Sequence, residues 1–394
     1  MDDVMNILFL SCYTDDDFKR MIKSGKIVSQ AAQKFDKLFV KGFINNNCEV
    51  DVILFYADDN QLSNYELYNG KRINYHLCKL EGNLVKRLQL KKRYINNVFL
   101  EWKKNNQDGA VVIDSLKPGA LELSKIAKKN NVKVVSIVTD FRDLLDTKCS
   151  NIKQKLSDYL LTHVFYKQFK FSSLFVLLTE EMKNRLPVRN NSIIIEGLCD
   201  IDSCNNCDDV KNRNVENCFV YSGALSKQFG IDNLVSAFIK ADTAGFELHL
   251  YGSGDYVEEI KEISKNNKMI KYYGIIPNEQ MVEVQRNAYC LVNPRPVGDE
   301  YTKYSFPSKT IEYMVSGRPV ITTSLPGIPR DYDDFLLYFN GDSVQGIIEG
   351  INKVLEKDET ELYKLGRSAR EYVITKKNNV IQTRRLLDEV KEKA

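Results

Sequence analysis

Long apolar runs are missing from this sequence. No stretch approaches the roughly 18 uninterrupted apolar residues of a membrane-spanning helix, so none is expected. The run Ile7-Leu8-Phe9-Leu10 follows acidic Asp2 and Asp3, lacks a basic flank and ends early, unlike a secretory leader. Histidine is scarce, with three in 394 residues. The nine cysteines form no set of C-x-x-C pairs at zinc spacing. Cys204 and Cys207 come nearest, without a second pair or a histidine cluster. No metal centre is expected, and the thiols are expected to be free in a reducing cytoplasm. No G-x-G-x-x-G follows the first apolar run, where Ser11-Cys12-Tyr13-Thr14 stands, which disfavours a dinucleotide dehydrogenase. The net charge of +3 is too small to argue for a nucleic-acid partner, and none is expected.

What the chain does contain is ordinary globular material, 43% hydrophobic and 28% charged, which excludes a disordered class. At 394 residues it exceeds what one hydrophobic core usually supports. Short apolar runs alternate with helical stretches, the pattern of βαβ units and parallel sheets. In the first half, strands are expected at Asn6–Ser11, Glu49–Phe55, Gly109–Asp114, Val132–Val138 and Leu174–Leu178. Helices are expected there at Gly25–Phe43, Leu84–Lys104 and Pro118–Asn130. In the second half the expected strands are Cys218–Gly223, Glu247–Tyr251, Ile270–Gly274, Cys290–Val292 and Pro319–Thr323. The polar run at Cys204–Asp209 reads as a linker. The reading is therefore α/β: residues 1–205 as one Rossmann-like domain, 206–375 as a second, and 376–394 as a final helix.

The segment Asn293–Gly317, N-P-R-P-V-G-D-E-Y-T-K-Y-S-F-P-S-K-T-I-E-Y-M-V-S-G, carries the most chemistry. It follows an expected strand, so its loop lies at the carboxyl edge of the sheet, where open α/β proteins bind ligands. Ser305 is expected to cap a helix starting near Phe306, with Pro307 in the first turn. Free backbone N–H groups there, with Arg295, Lys303 and Lys309 nearby, suit a diphosphate. Glu312 lies one turn beyond Ser308 and is placed to accept from a ribose diol.

This segment resembles the donor signature of family-4 glycosyltransferases of the GT-B fold. Glu312-Tyr313-Met314-Val315-Ser316-Gly317-Arg318-Pro319-Val320-Ile321 matches the second half of their pattern. The resemblance implies ribose contacts for Glu312 and phosphate contacts for Arg295 and Lys309. It puts Tyr304 where the family has a sugar-touching glutamate. Tyr221-Ser222-Gly223-Ala224-Leu225 resembles the turn that approaches the diphosphate, with Ala224 and Phe229 replacing an arginine and a lysine. Ser226 and Lys227 follow it, and Lys227 is a candidate to supply the missing charge. His249-Leu250-Tyr251-Gly252-Ser253-Gly254 resembles the second glycine-bearing strand end, and Gly274-Ile275-Ile276-Pro277 the turn that reads the nucleobase. The implied donor set is thus Gly223, Ser226, Lys227, Gly254, Ile276, Arg295, Tyr304, Ser308, Lys309 and Glu312. The fold implied is GT-B, two Rossmann-like α/β/α domains facing a cleft, with the final helix crossing back to the first.

In the first half, Asp114 and Asp140 follow strands and are candidates for the catalytic face, alongside Arg295 and Lys309. The implied reaction moves a hexose-type sugar from a nucleotide sugar to a glycan or lipid-linked acceptor. No strand-flanked D-x-D appears in the donor half, so no metal is required for transfer. The stretch Leu84–Lys104 is basic and amphipathic, which suits an anionic membrane surface on the cytoplasmic side. A nucleotide-sugar 2-epimerase and a catalytically silent nucleotide-sugar-binding protein are the alternatives. His249 falls mid-strand and reads as structural.

Overall fold

The structure, a computed structural model, describes residues 5–24, 30–57, 61–106, 108–144, 152–186, 191–202, 215–243, 245–298 and 300–392. The Cys204–Cys207 run, and Gly25 at the start of the expected Gly25–Phe43 helix, lie outside these residues. The chain divides into two compact units: Met1–Leu198 with Asn379–Ala394, and Cys199–Asn378.

Unit 1 is built on β1 (Asn6–Leu10), β2 (Glu49–Tyr56), β3 (Tyr65–Tyr68), β4 (Lys71–Lys79), β5 (Gly109–Asp114), β6 (Lys133–Val138), β7 (Leu174–Leu177) and β8 (Asn191–Ile194). They form one sheet in the order β3-β4-β2-β1-β5-β6-β7-β8. All neighbours run parallel except β3 and β4, which form an antiparallel hairpin. Its turn is Asn69-Gly70, both at positive φ, the two-residue connection whose twist matches paired strands. The helices are α1 (Asp15–Lys23), α2 (Gln30–Asn45), α3 (Leu84–Asn105), α4 (Ala120–Lys129) and α5 (Ile152–Gln168). Burial on both faces explains why β1, β5, β6 and β7 read as continuous apolar runs rather than alternating ones.

Unit 2 has an all-parallel sheet in the order β11-β10-β9-β12-β13-β14. Its strands are β9 (Glu216–Ala224), β10 (Glu247–Ser253), β11 (Ile270–Gly274), β12 (Ala288–Asn293), β13 (Val320–Thr322) and β14 (Leu337–Tyr338). Its helices are α6 (Ile231–Lys240), α7 (Val257–Asn266), α8 (Asn278–Asn287), α9 (Lys309–Val315), α10 (Val344–Leu355) and α11 (Glu359–Lys376).

The charged C-terminal stretch forms two helices. The break at Lys377-Asn378 separates α11 in unit 2 from α12 (Asn379–Glu392) in unit 1. α12 packs on α2 at Gly42, where a Cβ would run into the Asn379 carbonyl and Thr383. The Asn46 amide beside it donates to the Gly42 and Val380 carbonyls and to Thr383, each at 2.8 Å. The final helix thus returns to the first unit, as the fold resemblance implied.

Candidate functional site

In unit 2 the donor segment begins at the end of β12 and runs to α9. The expected helix start at Phe306 is corrected: α9 begins at Lys309, with Ser308 preceding it and making no side-chain cap. Proline at 307 disfavours helical backbone at Phe306, whose ring is buried instead against Tyr332. Ser305 is therefore not the cap. Its carbonyl lies where a Cβ on Gly327 would fall, in an irregular passage leading into α9. The preceding loop is pinned from outside. Asp342 accepts from the Val297 N–H at 2.8 Å and its carbonyl from the Asn233 amide at 3.0 Å.

Three glycines let backbone crowd together at the carboxyl ends of β9 and β10. Gly252 faces Gly223 in register, and a Cβ on Gly252 would overlap the Gly223 carbonyl oxygen. A Cβ on Gly254 would overlap Leu225, whose N–H donates to the Ser253 carbonyl at 2.8 Å. A Cβ on Gly223, at φ 149°, would meet the Lys309 ammonium. That ammonium donates to the Ser222 carbonyl and lies 5.4 Å from the Tyr221 ring centroid.

Arg295 reaches the same region from the end of β12. Its Nε donates to the Tyr301 hydroxyl at 3.1 Å, and its guanidinium lies 5.9 Å from the Phe229 ring centroid. Burial, with Tyr313 adding to it, pushes the Tyr221 phenol well above its ordinary value, while Arg295 pulls the other way. Arg295 and Lys309 thus both bear on Tyr221. Behind them the buried Tyr313 hydroxyl accepts from the Ser222 N–H at 2.9 Å, fixing α9 against β9. Gly230, at φ 75°, closes the Ser226–Lys227 turn against the Pro294 carbonyl, where a side chain would not fit.

The structure therefore brings Gly223, Ser226, Arg295 and Lys309 to one end of the unit 2 sheet. Gly254 is beside them, through Leu225. Lys227 is largely solvated, 3.8 Å from Glu259 and stacked over Tyr256. Tyr304 and Glu312 are half-buried and Ser308 exposed; Glu312 sits one residue before Tyr313 on α9. Ile276 follows β11, two strands from β9.

Unit 1 holds a polar cluster whose principal acid the sequence did not suggest. Asp114 ends β5, and its Oδ1 accepts from the Leu116 N–H at 3.0 Å. Lys117 lies 3.3 Å from both Asp114 and Asp36, and Ser11 donates to Asp36. Asp36 is 1% exposed. Burial, with the neighbouring Asp114 carboxylate, pushes it up to about 7 against Lys117 and Ser11. Burial works against the Lys117 ammonium, yet Asp36 and Asp114 hold it above the ordinary lysine value. The missed signal was a carboxylate within the apolar face Phe35, Phe39, Val40 and Phe43 of α2, a position that demands a partner. Asp140 is half-buried beyond the end of β6.

Residues 216–357 match the family model described as Glycosyl transferases group 1. Its sequence has no significant match among curated proteins. Several solved structures share its fold. Sucrose-phosphate synthase from Thermosynechococcus elongatus aligns with TM-score 0.66 at 13% identity, over 99% of this chain and 100% of that one. Alr3699/HepE of Anabaena in complex with UDP aligns with TM-score 0.64 at 13% identity, over 98% and 100%. The lipopolysaccharide outer core galactosyltransferase WaaB aligns with TM-score 0.62 at 16% identity, over 99% and 100%. The chain thus has the GT-B fold, and its residues 216–357 are similar to the group 1 glycosyl transferase model.

Proposed function

We propose that this protein transfers a hexose from a nucleoside diphosphate sugar to a glycan or lipid-linked acceptor, in the assembly of a surface polysaccharide or glycolipid. The carrying observation is the convergence of Lys309, Arg295 and the glycine-bared backbone of Gly223 at one strand edge. Backbone that close to the surface, backed by two cations, suits a diphosphate. A uridine donor is the first choice, since Alr3699/HepE is seen with UDP and with UDP-glucose. Glu312 holds the ribose, and Ile276 and Gly274 border the base. Arg295 and Lys309 stand in for a metal, so transfer runs without one.

In the retaining route, the bond from C1 to the phosphate oxygen breaks as the acceptor oxygen bonds to C1. The acceptor proton goes to the departing phosphate. Cations on that phosphate stabilise the developing charge. Asp140 and Asp114 are assigned to the acceptor side, Asp114 held in orientation by Lys117.

The test is a pair of substitutions. Glu312→Ala costs about 2 kcal/mol of UDP binding by calorimetry, roughly 30-fold in Kd, as for a lost charged hydrogen bond. Arg295→Ala lowers kcat about 100-fold while UDP binding falls far less. Unchanged kinetics and affinity in both variants place the donor elsewhere. Donor epimerised without acceptor makes the protein an epimerase, and binding without turnover across an acceptor panel makes it a silent receptor.

We place the reaction at an anionic membrane surface on the cytoplasmic side, and no helix among the described residues is long and apolar enough to cross a membrane. α3 buries Ile95, Val98, Phe99 and Trp102 but leaves Leu84, Val85, Leu88 and Leu90 exposed among Lys86, Arg87, Lys92 and Arg93. α4 packs against both α3 and α5, and α5 also exposes Leu156, Tyr159, Leu160, Leu161 and Val164. Lys91 is 3.4 Å from Glu122, so in a Lys91/Lys92/Arg93 triple alanine two free charges are lost. At about 1 kcal/mol each, partitioning onto phosphatidylserine vesicles falls roughly 30-fold. Undiminished sedimentation removes the membrane from the proposal.

A further inference from the structure

The amino ends of β9 and β10 carry a second cluster, at the edge of the unit 2 sheet opposite the Gly223 backbone. Strand alternation puts Glu216 and Cys218 on one face of β9, and Glu247 and His249 on the same face of β10. The register sets Glu247 beside Cys218. A Glu216 carboxylate oxygen, the Cys218 Sγ and a ring nitrogen of His249 lie within 4.8 Å of one another. Cys218 and His249 are buried, at 2% and 7% exposure, while Glu216 opens to solvent. Glu247 pairs with His249 Nε2 at 2.8 Å and with Lys271 at 3.5 Å. Tyr273 covers the imidazole, its ring centroid 5.0 Å away, and stacks on Tyr251.

Thiol, imidazole and carboxylate at this spacing form the donor set of a borderline-soft cation. We propose that unit 2 binds one zinc-class divalent cation through Cys218, His249 and Glu216, with Glu247 orienting the imidazole. Tetrahedral bond lengths bring such ligands to roughly 3.5 Å from one another, so the cluster closes by side-chain rotation of about 1 Å. The carboxylate behind a ligating histidine is the usual partner of such sites. An ordinary thiol is protonated at neutral pH when no cation is bound, and burial, reinforced by Glu216, raises the Cys218 thiol further. Burial also pushes the Glu247 carboxyl up, but His249 and Lys271 outweigh it and hold it below the usual carboxylate range. Binding therefore replaces the S–H bond with a sulfur–metal bond, and one proton leaves to solvent. None of these side chains belongs to the Lys309–Arg295 cluster, so the site is structural or regulatory and independent of the transfer chemistry.

The experiment uses the full chain carrying Cys204→Ser and Cys207→Ser, which removes the C-x-x-C pair as a competitor. Titrating the reduced protein with Co²⁺ gives a near-ultraviolet thiolate-to-cobalt band that saturates at one equivalent, releases one proton per ion and is displaced by Zn²⁺. Cys218→Ser abolishes the band. Glu216→Gln, on the exposed side and harmless to folding, weakens Co²⁺ affinity at least tenfold. Glu247→Gln weakens it by about 10- to 100-fold without removing the band. An absent band, a band that survives Cys218→Ser, or unchanged affinity in Glu216→Gln overturns the site.

Discussion

Replacing Lys117 by methionine destabilises unit 1 by about 3–5 kcal/mol at pH 7.5. The reason is the company Lys117 keeps. Its ammonium lies 3.3 Å from both Asp36 and Asp114, whose side chains are 1% and 5% exposed. Methionine fills the stem's volume but removes the one positive charge that both acids are seen to share. Without Lys117, Asp36 must take up a proton at pH 7.5; Asp36→Asn in the same chain supplies that neutral side chain outright and recovers a substantial part of the loss, so the two changes are non-additive. Urea unfolding of the four chains in a double-mutant cycle measures this. Additive losses sink the network.

The same cluster sets a pH signature. Asp36 titrates at about 7 in the folded chain against 3.8 for a free side chain. An acid raised on folding binds its proton more tightly in the native state. Its contribution is therefore lost as pH climbs from about 4 to about 7, and changes no further above that. Asp36→Asn removes this slope. A wild-type urea midpoint whose pH dependence across that window is unaltered by Asp36→Asn contradicts the assignment.

The sheets were legible because parallel strands buried on both faces read as apolar runs. Gly109–Asp114 and Ile270–Gly274 fall at the bounds their residues announce, and most others shift by a residue or two. The hairpin β3–β4 was not foreseen, because its strands mix Tyr, Glu, Lys and Arg with few aliphatic residues. Asn69-Gly70, flanked by Tyr68 and Lys71, was nonetheless the signal that marks it. β8 and β14, at four and two residues, are too short to show a period. In the donor segment the residue types were readable and the local backbone was not. Pro307 suggested a first helical turn, whereas its effect on Phe306 delayed the helix to Lys309. Asp36 escaped notice because its partners come from two other segments, Ser11 after β1 and Asp114 with Lys117 after β5, and a side chain's partner across a sheet edge leaves no local trace.

Gly252→Ala is the corresponding test in unit 2, and it separates backbone crowding from glycine's permissive conformation. Gly252 sits at φ 131°, where a side chain is strained, and its missing Cβ lets β10 lie against the Gly223 backbone. The added methyl would stand 2.9 Å from the Gly223 carbonyl carbon, and both strands are interior to the sheet. Strain of about 1–3 kcal/mol and overpacking of about 1–3 kcal/mol together make roughly 4 kcal/mol. For a unit of this size that lowers Tm by on the order of 10 °C. Gly245→Ala is the control, since Gly245 has φ 89° but open space around its Cβ position. It bears strain alone and loses roughly 1–3 kcal/mol. Because Leu225 hangs on Ser253, next to Gly252, the same substitution shifts the turn that carries Ser226 and Lys227. UDP affinity therefore falls in Gly252→Ala even well below its Tm, and holds in Gly245→Ala. Equal losses of stability in the two variants mean that the close approach of β10 to Gly223 contributes nothing, and the diphosphate cradle built on it goes too.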